Sequence, residues 1–327
     1  VLVPRRADRS AEWVAALCGA GFEPVLVPLI DFELPADPAP ALSLPVLLDA
    51  AGRRAESGAE RPWLVVTSVT TIQALAQLGV WTEIRDVVRR GSVVVVAVGE
   101  GTRRALEAAG VAAELMPERA MNARGILRLA AHQAPRAAFL PHGNLAAPTL
   151  EGGLRDLGWE VTALDVYLTV DAPARPGRRI TTPPPGTPGG DGAPAGGSPR
   201  EPVSPGPELG LDEARRLEWT AMIATSPSTA RRILAEFPAA RADAGVPILS
   251  IGPSTTAQLR AAGREPAGEC ETPEPAAAVA LLTALTRSAD EQNARAEPGF
   301  TDTDTADQDP RRHLSSTRRP PETEETP

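Results

Sequence analysis

The sequence predicts an α/β protein: parallel sheets flanked by helices, in two similar copies. Three observations predict it. β-branched runs such as "WLVV" (63–66) and "VVVVAV" (93–98) alternate with amphipathic segments, as in parallel sheets whose crossovers are helices. Glycine turns join strand to helix, as in "VVVAVGEGTRRALEAAGV" (94–111). The chain also repeats itself.

The first repeated unit runs from "VLVPRR" (1–6) through a helix to "GFEPVLVPL" (21–29), and again from "AAFLPHGN" (137–144) to "GWEVTALDVY" (158–167). In both copies proline is expected to end the first strand, and glycine follows it by 17 positions. The second unit runs from "WLVVTSVTTIQAL" (63–75) to the glycine turn at Gly99, and again from "TAMIATSPSTARRIL" (220–234) to "PILSIGPSTTAQLRAAG" (247–263). Ala-Gly pairs at 20–21, 109–110 and 262–263 read as helix C-caps. Ser68, Thr70, Thr102, Ser226, Ser228, Ser254 and Thr255 fall where N-caps belong. Symmetry alone leaves open whether the units form two domains in series or one domain inserted in the other.

Residues 172–207 are dominated by Pro and Gly, and residues 288–327 hold ten Asp/Glu against five Arg with few apolar side chains. Neither stretch is expected to bury enough surface to fold. The 327 residues suffice for two domains, and 42% hydrophobic content with only 3% aromatics leaves Ala, Val and Leu to fill the cores. A net charge of −9 argues against a nucleic-acid partner. The chain has no lysine, so arginine carries the basic charge apart from histidine. Cys18 and Cys270 lie far apart, and His132, His142 and His313 are scattered, so no metal is expected. No apolar run is long enough to span a membrane. The chain opens on a strand without a basic-then-apolar leader, and without methionine, so one or more preceding residues are expected to be missing. This predicts a cytoplasmic protein.

The turn Gly99-Glu100-Gly101-Thr102-Arg103-Arg104 lacks the third glycine of a dinucleotide fingerprint, and Gly252-Pro253-Ser254-Thr255 lacks the second as well. What the sequence offers instead is four helix N-termini rich in hydroxyls, after Thr67-Ser68, Gly99, Thr225-Ser226 and Gly252. Strand C-terminal ends of a parallel sheet share one edge, where ligands bind. Helix N-termini there present unpaired N–H groups to an anion. Each of these hydroxyls also has a plainer reading, as the cap of its own helix.

In order, "VLVPRR", "PLIDFE", "WLVVTS", "VAVGEGTRRALEAAGV", "FLPHGNLAAPTL", "VYLTV", "IATSPSTA", "SIGPSTTAQLRAAG" and "ETPEPAAAVALLTAL" resemble the uroporphyrinogen-III synthase family. The likeness covers nearly all of residues 1–287 except the Pro/Gly linker. Pro4 stands where the family often has threonine, and the linker and tail have no counterpart. The resemblance implies an inserted arrangement: domain 1 from 1–33 and 170–287, domain 2 from 34–169. Connectors near 32–36 and 166–172 would form a two-stranded ladder acting as a hinge, with the site in the cleft between the domains. It implies no cofactor, a monomer, and as substrate the linear tetrapyrrole hydroxymethylbilane. Loss of its terminal hydroxyl as water gives an azafulvene. Ring D attacks through its substituted position to a spiro intermediate, then fragments and recloses inverted. Without the enzyme the uninverted type I isomer forms, so orientation is the protein's main task.

Tyr167, the only tyrosine, falls at the family's catalytic tyrosine. It is expected to end its strand and to protonate the leaving hydroxyl; its plainer reading is packing at a domain border. The implied substrate-binding residues are Arg5, Thr67, Ser68, Gly99, Thr102, Gly143, Asn144, Ser226, Ser228, Gly252, Ser254 and Thr255. Asn144 has the second reading of a helix cap. Arg6, Arg103 and Arg231 read as solvated charges, and the family calls for no histidine at His142. Two rivals remain: a non-catalytic two-domain binding protein for a small anionic ligand, which the absent leader disfavours, and a nucleotide-dependent transferase using the Gly99 turn.

Overall fold

The computed structural model describes residues 1–181, 208–240 and 245–296. Along the chain come β1 (Leu2–Val3), a 3-10 turn (Ala7–Arg9), α1 (Ala11–Gly19), β2 (Val25–Leu26), β3 (Ile30–Glu33) and α2 (Ala39–Glu56). Then follow β4 (Trp63–Val66), α3 (Val69–Gln77), α4 (Trp81–Arg89), β5 (Val94–Ala97), α5 (Glu100–Ala108), α6 (Ala123–Ala130), β6 (Ala137–Gly143), α7 (Thr149–Asp156) and β7 (Glu160–Asp171). The last elements are α8 (Leu211–Ala214), β8 (Met222–Ala224), α9 (Pro227–Glu236), β9 (Ile248–Ser250), α10 (Pro253–Ala261), β10 (Gly268–Glu269) and α11 (Pro275–Ala296). No helix among the described residues is long and apolar enough to cross a membrane.

The strands form two five-stranded sheets, β10-β9-β8-β1-β2 and β3-β7-β6-β4-β5. The first unit of the chain thus shares a sheet with the last, and the two middle units share the other. Every pairing in the first sheet is parallel. In the second, β4, β5, β6 and β7 are parallel, and β3 runs antiparallel to the end of β7. The sheets match strand for strand: β1 with β6, β2 with β7, β8 with β4, β9 with β5. Even β10 has a counterpart, the parallel bridge of Leu115 to Val96.

Period-2 alternation splits each apolar run between two cores. Leu64, Val66, Val95 and Ala97 pack on one face of the second sheet with Leu44, Leu48, Leu75 and Ile84. Trp63, Val65, Val94 and Val96 pack on the other with Ile126, Leu154 and Trp159. In the first sheet Leu2, Met222, Ala224 and Ile248 meet Ile233 and Leu259. Val3, Ile223 and Leu249 meet Trp13, Leu17, Ala278 and Leu282. Gly21, Gly110 and Gly263 take positive φ at the helix ends where the Ala-Gly pairs predict caps.

β3 inverts the usual rule. In "IDFE" the carboxylates of Asp31 and Glu33 are each 1% exposed, while Ile30 and Phe32 are only half-buried. Asp31 accepts hydrogen bonds from Arg6 at 3.1 Å, Arg179 at 2.9 Å, and the N–H groups of Phe32 and Ala174. Glu33 accepts from the Arg175 N–H and lies 3.3 Å from its Nε. These partners order the chain beyond β7. Ala174 and Ile180 are buried, Ile180 N–H donates to Phe32 O at 2.9 Å, and Leu34 N–H donates to Arg178 O at 2.8 Å.

Several expectations are thereby corrected. Residues 172–181 of the Pro/Gly stretch are structured, because two buried carboxylates hold them; 182–207 lie outside the described residues. The acidic tail from 288 begins as helix, since α11 runs to Ala296; 297–327 lie outside the described residues. Pro4 ends β1, but Pro141 does not end β6. β4 stops pairing with β6 at Phe139, and β6 runs on against β7 to Gly143. Tyr167 lies inside β7 rather than at its end, because β7 changes partner from β6 to β3 at Leu168. Arg6 is no solvated charge: it is 14% exposed and clamped between Asp8 and Asp31.

Candidate active site

The candidate residues follow the C-terminal ends of parallel strands. After β4, Ser68 caps α3, its hydroxyl accepting from Thr70 N–H at 3.1 Å, with Thr67 half-buried beside it. After β8, Ser226 and Thr229 form a reciprocal capping box on α9. The other two N-caps are glycines in extended backbone, Gly99 on α5 and Gly252 on α10. Thr70, Thr102, Ser228, Ser254 and Thr255 are therefore not caps; they lie inside the first helical turns. Thr102 faces inward at 6% exposed, and Thr255 does so at 1%, its hydroxyl buried without a hydrogen-bond partner. Ser228 is half-buried and Ser254 exposed. Met121 covers Gly99, where an added Cβ would lie 3.1 Å from its side chain.

Tyr167 is the centre of the second sheet's group. The β6–β7 register slips between His142 and Gly143, so Gly143 pairs with Tyr167. Such a bulge re-aims side chains. The phenol ring lies over Gly143 so closely that a Cβ there would come 2.4 Å from Cε2. Asn144 locks the same strands together: its N–H donates to Tyr167 O at 3.2 Å, and its Oδ1 accepts from Thr169 N–H at 2.8 Å. Asn144 is thus no helix cap; Pro148 holds that position on α7. Phe32 meets the Tyr167 ring edge-on at 5.7 Å. Burial pushes the phenol above its ordinary range, while a hydrogen bond with Ser68 and the charge of Arg9 pull the other way. The phenol is therefore protonated at neutral pH.

In the first sheet's group, Arg5 turns back onto its own side. Its guanidinium sits 5.5 Å over Trp13 and donates to Arg9 O at 3.3 Å. Arg9 is the residue that crosses. It stacks on Phe32 at 4.8 Å and donates to Gln73 Oε1 on α3. Arg9 and Phe32 are residues of this group that sequence reasoning missed, and Gln73 is the neutral partner on which Arg9 rests. No sequence signal marks Phe32, since a period-2 reading of "IDFE" turns it inward. None marks Gln73. Ser68, Gly143, Asn144 and Tyr167 are brought together; Ser226 and Gly252 follow strands of the first sheet.

A cavity of about 300 Å³ opens at the opposite edge of the second sheet, lined by Arg54, Pro62, Arg136 and Glu160. It lies at strand N-terminal ends, away from every residue above.

Fold and turns together define a doubled parallel α/β protein with helix N-termini presented at the strand ends, one of them beside a half-buried phenol. The chain belongs to the uroporphyrinogen-III synthase family: the model for uroporphyrinogen-III synthase HemD matches residues 11–280. Among solved structures it is similar to a mutant uroporphyrinogen III synthase of Thermus thermophilus, at 17% identity and TM-score 0.53, covering 89% of this chain and 98% of that one. It also matches the uroporphyrinogen-III synthetase of Helicobacter pylori, at 14% identity and TM-score 0.46, covering 81% of this chain and 92% of that one. No match arises among curated protein sequences.

Proposed function

We propose that the protein closes hydroxymethylbilane to uroporphyrinogen III, with inversion of ring D and loss of water, in a cleft between two domains. Domain 1 is residues 1–33 and 170–287 and carries the first sheet; domain 2 is 34–169 and carries the parallel part of the second. The antiparallel pair of β3 with the end of β7 serves as the hinge. The protein works as a cytoplasmic monomer without a cofactor.

The observation that carries the reading is the seating of Tyr167. A protonated phenol is fixed by Ser68, Gly143 and Phe32 at the C-terminal edge of a parallel sheet, where such folds bind ligands. From there its O–H donates to the departing hydroxyl of the bilane, and the phenolate regains a proton as ring D closes. Main-chain N–H groups at Gly99 and Gly252, with Thr67, Ser68, Thr102, Asn144, Ser226, Ser228, Ser254 and Thr255, take the carboxylates. Each helix N-terminus adds about 0.3–1 kcal/mol for an anion. The gain is geometric: a floppy chain is held so that ring D meets the azafulvene through its substituted carbon.

The test is to add hydroxymethylbilane to the purified protein and read the isomer ratio. A shift from type I to type III supports the reading. An unchanged spontaneous mixture overturns it and leaves the binding-protein alternative.

A further inference from the structure

Arg9 is half-buried, and among the described residues no carboxylate pairs with it. Among the described residues Asp31 pairs with Arg6 and Arg179, Glu33 pairs with Arg175, and Arg5 lies on Trp13. Its direct contacts are neutral, the Phe32 ring at 4.8 Å and the amide oxygen of Gln73, while Asp8 and Asp31 act on it only through space. Its Nε is buried with no hydrogen-bond partner. Burial also pulls its pKa below the ordinary arginine value, the mark of a desolvated guanidinium, though arginine stays charged in proteins. A desolvated cation with an orphan donor costs free energy unless an anion completes it. The ring it stacks on is the one packed edge-on against Tyr167.

We propose that Arg9 is a substrate-binding residue, exchanging the Gln73 amide for one carboxylate of the bilane and so anchoring the substrate beside Tyr167. The inference rests on the function proposed above. A carboxylate displaces Gln73 because charge-assisted hydrogen bonds are roughly twice as strong as neutral ones, and a guanidinium fork can meet both carboxylate oxygens. Nε is the free tooth of that fork. Planar, bidentate recognition also separates arginine from lysine. Arg9 therefore supplies a fixed charge where the first sheet's turn meets Phe32, the ring packed on Tyr167.

The experiment compares wild type, Arg9→Gln, Arg9→Lys and Gln73→Ala for KM, kcat and isomer ratio with hydroxymethylbilane. It adds equilibrium binding of an unreactive octacarboxylate porphyrin and a melting curve. Arg9→Gln is expected to raise KM and the porphyrin Kd by about tenfold, with kcat within about threefold and the folded state retained. Arg9→Lys recovers part of the loss. Gln73→Ala keeps KM at or below the wild-type value, because it frees the guanidinium. KM within twofold of wild type in Arg9→Gln overturns the proposal. So does an equal KM rise in Gln73→Ala, which would make the contact a structural clasp, or a loss confined to kcat or stability. If wild type itself yields no type III isomer, the functional reading fails first. If wild type is active and Arg9→Gln matches it, only this inference fails.

Discussion

The turn after β1 and the turn after β6 occupy the same place in two copies of one strand–helix–strand unit, yet they do opposite work. After β1 the chain reads Pro4-Arg5-Arg6, and the three arginines Arg5, Arg6 and Arg9 lie in or just beyond the turn. At the end of β6 it reads Pro141-His142-Gly143-Asn144, and the strand's last residue, Gly143, contributes an open backbone under a phenol. The helices that follow are alike in length, α1 with nine residues and α7 with eight. The difference teaches that a duplicated fold supplies matched edges, while single residues at those edges divide the labour. One edge brings positive charge across; the other seats the Tyr167 phenol. Gly143 is the pivot, because any side chain there would collide with Tyr167.

The largest effect tests the second edge. Tyr167→Phe keeps the ring on Gly143 and against Phe32 but removes the O–H. It is expected to slow formation of the type III isomer by about 10²–10⁴-fold with little change in the melting curve. Wild-type turnover in this variant would strip the second edge of its role in the comparison.

Next comes Asp31, where charges of the first edge are anchored to β3. Asp31→Asn leaves Arg6 and Arg179 facing a neutral amide. Breaking a buried pair from one side costs about 3–5 kcal/mol, and the lower end is expected because the Arg179 side chain is 37% exposed. Denaturant unfolding measures it. The pH dependence has a definite sign. Burial would raise the Asp31 pKa, but hydrogen bonds from Ala174 and Phe32 and the charge of Arg6 outweigh it and hold the carboxyl below the ordinary aspartate value. Its contribution is thus complete above about pH 4 and drains away as pH falls through the folded pKa. Wild type should lose stability more steeply than Asp31→Asn below about pH 4. Parallel acid curves would show that the ionised carboxylate does not anchor the first edge.

How much of this was legible beforehand differs between the two edges. Alternating apolar runs, the Ala-Gly caps and the doubled units stand in the sequence, because period and backbone conformation are local properties. The family motifs marked Tyr167, Gly143 and Asn144. The buried side of β3 was not legible. A period-2 reading puts Ile30 and Phe32 inside, and only arginines as distant as Arg6, Arg175 and Arg179 make the inverse arrangement tolerable. The Pro/Gly composition of 172–207 hid a docked segment for the same reason. Arg9 was missed because its meaning depends on Gln73 and Phe32, which are remote in sequence.

A third test exchanges the feature that separates the two turns. Gly143→Ala puts a methyl group 2.4 Å from a ring carbon of Tyr167. Either the ring or the bulge must shift. Overpacking of this kind costs about 1–3 kcal/mol, and kcat should fall with it because the phenol moves. Adding Tyr167→Ala relieves the clash. A double-mutant cycle on stability should therefore show coupling between the two sites, whereas strictly additive losses would refute the close approach.

The smallest effect compares matched serine caps. Ser68→Ala and Ser226→Ala each remove an N-cap, at about 1 kcal/mol. Ser226 works in a closed box: its hydroxyl accepts from Thr229 N–H at 3.1 Å, and its N–H donates to Thr229 Oγ1 at 2.8 Å. Ser68 lacks that reciprocal partner and holds the Tyr167 phenol instead. Equal stability losses should therefore come with unequal kinetics. Ser68→Ala should lower kcat several-fold beyond Ser226→Ala, since only the former frees the phenol to rotate from its seat. Equal kcat values in the two variants would make both serines helix caps and nothing more, leaving Gly143 and Phe32 to orient Tyr167.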